Sequence, residues 1–133
     1  MSDSPAEARS LLLFAMDHAI ESVRAGNVRL TPLVAAEIDG QAELHRFDGD
    51  TLEESLAAAT HYVTIECRPG MRAVLVYPGY LTDGERRSDA IYAESLDEWG
   101  NVTIVAQRYR PRSWLRGFEA IGNPVQLAVK GLL

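Results

Sequence analysis

Three arginines alternate with an aromatic residue and a proline in "QRYRPRSW", residues 107 to 114: Arg108, Arg110 and Arg112 flank Tyr109 and Pro111, and Trp114 and Arg116 follow. A guanidinium presents several donors in a fixed planar fork. Arginines gathered on one surface therefore grip phosphate or carboxylate through paired hydrogen bonds, while a neighbouring aromatic ring offers a stacking face to a flat ligand. Tyr80, in "PGYLTDG", is read with Leu81 as part of a connection between strands: a ligand lid, an interface, or a loop folded back on its own core. The candidate ligand-binding residues are Arg108, Arg110, Arg112, Arg116, Tyr80, Tyr109 and Trp114. A second reading competes with this one. In it Asp89, Glu85, Glu119 and the acidic first half of the chain neutralise the arginines, and Tyr109 and Trp114 belong to the core or to an interface. Surface ion pairs are common and of small energetic consequence, which puts this internal reading first.

Other chemistry finds less support. His61 and Cys67 are six residues apart on or near one helix, which sets them on different faces, and a helix C-terminus disfavours a thiolate. An inert buried thiol is the expectation. His18 and Glu21 have the spacing of a shared metal ligand pair, but His45 and His61 lie in other elements, so an exposed helical pair is expected and no metal. "DGD" at 48 to 50 lacks the later ligands of a calcium loop and reads as a turn feeding a helix cap. The glycines form neither a phosphate loop nor a dinucleotide fingerprint, so no cofactor and no catalytic motif is identified.

The chain of 133 residues has 47% hydrophobic and 24% charged residues, a composition of one ordinary globular domain over residues 1–133. It holds no apolar run of membrane-spanning length, "MSDSPAEARS" lacks the pattern of a secretory leader, and Cys67 is the only cysteine. A cytoplasmic protein without membrane contact is expected. Residues 1 to 66 carry 12 acids against 4 arginines, a net of −8, and residues 67 to 133 carry 7 acids against 9 bases, a net of +2. The halves are expected to attract each other, and the overall charge of −6 argues against nucleic acid as a partner.

The elements follow from spacing and punctuation. Ser4, Pro5 and Glu7 read as a capping box with proline at the first helical position. Leu12, Ala15, Met16, Ala19, Ile20 and Val23 then recur at helical steps up to a stop at Gly26. Leu13 and Phe14 widen that stripe, which calls for cover by the sheet and by a second subunit. Asp39-Gly40 suits the two-residue turn of a first hairpin. Asp50 with Glu53 repeats the capping-box spacing before a second helix with Leu52, Leu56, Ala59 and Val63 on one face, its helical spacing persisting to about Glu66. "AVLVY", residues 73 to 77, is a strand whose pairing Pro78 interrupts, and Asp83-Gly84 turns the chain. "DAIYAES" and "VTIVAQRY" are two further strands joined through "DEWGN", with Gly100 in the left-handed region. "SWLRGFEAIG" reads as a short third helix capped by Ser113 and stopped by Gly122.

The fold class is therefore α+β. The expected architecture is a two-layer sandwich, an antiparallel sheet of about five strands with helices mostly on one face, in the order α-β-β-α-β-β-β-α. The alternating tail "VQLAVKGLL" adds a sixth strand or packs on a neighbour. This order of elements resembles that of roadblock and profilin-like folds, a likeness of topology that implies no function.

Counting back from Asp97 opposite Asn101 gives a register: Glu94 faces Ile104, Tyr92 faces Ala106, Ala90 faces Arg108 and Asp89 faces Tyr109. Arg108 and Arg110 then share a face, about 7 Å apart from the rise per residue, with Arg86 and Arg87 nearby. Arg112 would meet Arg86, a repulsion that ends the strand at Pro111. Two functions are carried forward. The first is a non-enzymatic interaction or assembly module, a homo-oligomer using the first helix, a sheet edge or the C-terminal tail. The second is a protein that binds a small anionic ligand at the arginine and aromatic corner.

Overall fold

The computed structural model describes residues 4–25, 30–66, 71–110 and 119–131. The elements in chain order are α1 (Ser4–Arg24), β1 (Leu33–Ile38), β2 (Gln41–Arg46), α2 (Leu52–His61), a π-helical turn (Tyr62–Glu66), β3 (Ala73–Asp83), β4 (Arg86–Leu96), β5 (Asn101–Arg110) and β6 (Glu119–Gly131). The strands form one sheet in the order β2-β1-β3-β4-β5-β6, antiparallel at every step. The α+β class and antiparallel sheet are as the pattern of elements implies, with six strands in place of about five. No helix among the described residues is long and apolar enough to cross a membrane.

The two helices divide between the faces of the sheet. Leu11, Ala15, Met16, Ala19 and Val23 of α1 pack on Leu33, Ala35, Val74, Val76, Ile91 and Ala93. Ala59 of α2, with Tyr62 and Val63, packs on Val34, Ala36, Ala73 and Leu75. Neighbouring residues in a strand point to opposite faces, so Leu33 and Val34 belong to different clusters. Helices mostly on one face would leave half of these residues in water. "LVAAEI" and "AVLVY" are apolar at consecutive positions, and strands of that kind need cover on both sides. Leu13 and Phe14 remain exposed on α1.

Two turns carry the left-handed geometry expected of them. Asp39 and Gly40 adopt φ of 52° and 80° between β1 and β2, with Ile38 paired to Gln41. Gly100 has φ of 86°, Asp97 donates its amide to the Asn101 carbonyl at 3.0 Å, and the Asp97 carboxylate accepts from the amides of Trp99 and Asn101. The β4–β5 register is the one obtained by counting, from Leu96 opposite Val102 to Asp89 opposite Tyr109.

Several boundaries differ from expectation. The cap of α2 is Thr51, whose hydroxyl accepts from the Glu54 amide at 3.1 Å, while the Glu54 carboxylate accepts from the Asp50 amide. The capping box is thus shifted by one residue, because Thr51 takes the extended conformation from which a cap reaches the third helical amide. Helical structure does persist to Glu66, through the π-helical turn. Pro78 does not interrupt β3, which pairs with β4 along all of its length to Asp83 opposite Arg86. β1 runs beside β3 only as far as Val76, so the missing amide of Pro78 falls where the strand is paired on one side alone. Tyr80 and Leu81 accordingly lie within a strand and not on a connection, and the turn falls on Gly84 and Glu85.

The third helix is also overturned over its described part. Residues 119–122 belong to β6, and Gly122, with φ of 66°, sits inside that strand and stops no helix. β6 departs from regular register twice, between Ile104 and Val105 and between Ala106 and Arg108 of its neighbour. Gln107, 4% exposed, fills the second irregularity by donating its side-chain amide to the carbonyls of Arg108, Gly122 and Ile121 at 2.8, 3.2 and 3.4 Å. The proposed cap Ser113 and stop Gly26 lie outside the described residues.

Candidate functional site

The β4–β5 ladder ends on Asp89 and Tyr109. β4 continues past that point paired with β3 as far as Arg86, and β5 continues paired with β6 as far as Arg110 opposite Glu119. The sheet therefore forks. Continuing the ladder would set residue 86 against residue 112, arginine on arginine, and Pro111 has no amide to offer it.

A cleft of about 400 Å³ occupies the fork, lined by Arg86, Arg87, Ser88, Asp89, Arg108, Tyr109, Arg110 and Ile121. β5 keeps a regular register against β4, so Arg108 and Arg110 lie on one face of the sheet, the face of Ser88 and Arg86. Arg87, Asp89 and Tyr109 lie on the other. Both sets line one cleft because the strands between them have parted. Among the described residues, four guanidinium groups and one carboxylate thus line a volume of the size a small ligand fills. Neither Arg86 nor Arg87 forms an ion pair with a described residue. Arg87 instead lies over the Tyr80 ring, its guanidinium carbon 3.9 Å from the ring centroid, a cation–π contact that holds it at the cleft. Between the oppositely charged halves of the chain, Arg72 pairs with Glu37 at the opposite end of β3 from the cleft.

Tyr109 is half-buried, and burial, then the Asp89 carboxylate and Tyr80, push its phenol above the ordinary tyrosine value. It is a protonated hydrogen-bonding group at neutral pH. A second cleft, of about 430 Å³, is lined by Leu30, Leu52, Pro78, Gly79, Tyr80, Asp89 and Tyr109. Asp89 and Tyr109 line both.

Tyrosines tie β3 and β4 together beside this region. Tyr77 and Tyr92, opposite each other on β3 and β4, stack with centroids 5.5 Å apart and planes 6° from parallel. The Tyr92 hydroxyl donates to the Tyr80 carbonyl at 2.5 Å, and the Tyr77 hydroxyl donates to Glu94 at 2.6 Å. Gly79 makes room for the Tyr92 ring: a Cβ there would lie 2.8 Å from it.

Of the candidate residues, Arg108, Tyr109 and Arg110 meet in the arginine cleft, and Tyr80 lines the adjoining one. Arg112, Trp114 and Arg116 lie outside the described residues. Ser88, Asp89 and Ile121 were not among the ligand candidates, although counting the register sets Asp89 against Tyr109. Ile121 was hidden by the helical reading of its segment. Comparison with family models, with curated proteins and with solved structures finds no match.

Proposed function

We propose that the protein is a binding module for a small anionic ligand, a phosphate or carboxylate compound seated where β4 and β5 part. The observation that carries this reading is the convergence of Arg86, Arg87, Arg108 and Arg110 on one cleft. Guanidinium forks match the oxygens of phosphate and carboxylate two at a time, and a cleft between strands excludes part of the water that would screen them. A ligand that binds only the folded chain raises its stability, by about 2.7 kcal/mol at a hundredfold excess over Kd. Thermal unfolding with millimolar inorganic phosphate is therefore expected to shift upward in the parent and in an Arg24→Ala control, and not in Arg110→Ala. An equal shift in all three, the signature of a general salt effect, or no shift in any, removes the proposal.

A second reading, self-association as a non-enzymatic assembly module, is supported by the edge strand β6. Residues 120–129 carry no charged side chain, and Val125 and Leu127 on this edge are 40% and 43% exposed. Charged residues are the usual guard of such an edge against pairing with another chain, and two copies of β6 related by a two-fold axis would pair antiparallel. Sedimentation across a concentration series is expected to give a mass above the monomer that Leu127→Lys lowers. A monomeric mass at every concentration excludes this reading.

A further inference from the structure

We infer that the two clefts sharing Asp89 and Tyr109 form one composite site, and that its ligand is a nucleoside monophosphate. The inference rests on the anion-binding reading and goes on to name the body attached to the anion. The arginine end offers four guanidinium groups to a phosphate. Past Asp89 and Tyr109 the lining changes to Leu30, Leu52, Pro78, Gly79 and Tyr80, with no further charged residue among the described ones. An end of uncharged residues with an exposed aromatic ring suits a flat group, since a base stacks on any π face.

Asp89 decides what joins the two ends. A carboxylate beside an anion site repels a ligand that is anionic throughout, and it accepts hydrogen bonds. The part of the ligand at the junction must therefore present donors, and the Tyr109 phenol adds a group able to bond a hydroxyl from the other side. A phosphate, then a hydroxylated ring, then a planar base has this order of chemistry. Inorganic phosphate fills only the first part and a sugar phosphate the first two. At about 400 and 430 Å³ the clefts are each too large for phosphate alone.

The test is calorimetric titration of the full chain with inorganic phosphate, ribose 5-phosphate and adenosine 5′-monophosphate at fixed ionic strength. Affinity is expected to rise in that order, with the base contributing about tenfold, within the range of a base stacked on an aromatic side chain. Tyr80→Leu is expected to remove the tenfold gain and Tyr80→Phe to keep it, both variants being checked for a parent-like melting curve. Asp89→Asn is expected to weaken the two sugar-bearing ligands relative to phosphate. If phosphate binds in an Arg110-dependent way but the nucleotide binds no tighter, or if Tyr80→Leu retains the gain, the composite site is wrong and the anion site stands. If none of the three binds, both are wrong.

Discussion

Asp89 stands directly across from Tyr109 as the last pair of the β4–β5 ladder, so a carboxylate and a phenol mark the point where the sheet divides. One member supplies charge opposite to the arginines around it, and the other carries a proton that burial and that carboxylate hold in place. The pair is both the end of a hydrogen-bonded ladder and the boundary between two clefts.

Removing the charge of Asp89 separates these roles. Asp89→Asn removes the one carboxylate that lines the cleft among the described residues, and a loss of up to about 1 kcal/mol at low salt is expected, shrinking as salt screens the repulsion between the arginines. The Tyr109 phenol should titrate closer to the ordinary tyrosine value. Denaturant midpoints at two ionic strengths and an alkaline absorbance titration measure the two effects.

The Tyr77 hydroxyl, half-buried and bonded to Glu94, is held protonated far above the ordinary value, by burial first and then by the bond and charge of Glu94. Its folded value lies above the unfolded value of about 10. The stabilisation is therefore complete below about pH 10 and is lost as pH rises through the window above it. Tyr109 acts with the same sign. Tyr77→Phe is expected to cost about 1–2 kcal/mol at neutral pH, by leaving the Glu94 carboxylate without its donor, and to flatten the alkaline decline. Urea midpoints from pH 7 to about 11.5 check both.

Gly79→Ala places a methyl group 2.8 Å from Cε1 and 2.9 Å from Cδ1 of Tyr92. That ring is held by its stack on Tyr77 and by its bond to the Tyr80 carbonyl, so it yields only by breaking them. A loss of about 1–3 kcal/mol is expected. The loss should be much smaller in a Tyr92→Ala background, which a double-mutant cycle reads directly.

Thr51→Ala removes the oxygen that accepts from the Glu54 amide and is expected to cost about 1 kcal/mol. Thr51→Ser keeps the oxygen and should be close to neutral. Asp50→Ala, at the position the sequence pattern favours as the cap, should cost less than Thr51→Ala. Denaturant unfolding of the three variants ranks them.

Local rules carried the turns and the register. Asp39-Gly40 and Gly100 need backbone torsions that few other residues reach, and once the turn between β4 and β5 is set, strict alternation determines which side chains oppose down to Asp89 and Tyr109. The clustering of Arg108 and Arg110 was legible for that reason. Boundaries between competing local signals were less so. Asp50 and Thr51 both fit a cap, and the segment leading into β6 has helical spacing, yet Glu119–Ile121 pair with Arg110–Arg108 because β5 presents an open edge. Strand pairing supplied by a distant segment outweighs a short helix that has little core to bury.

The amino-acid sequence by itself determined the class of fold, the turns at Asp39-Gly40 and Gly100, the β4–β5 register and the division of charge along the chain, since each depends on residues close to one another. Tertiary structure alone decided that the helices cover opposite faces, that β3 runs on through Pro78, and that β4 and β5 separate to bring Arg86, Arg87, Arg108 and Arg110 around one cleft. Those outcomes depend on which strands lie side by side and where each pairing stops, and that competition is settled only when the whole sheet is assembled.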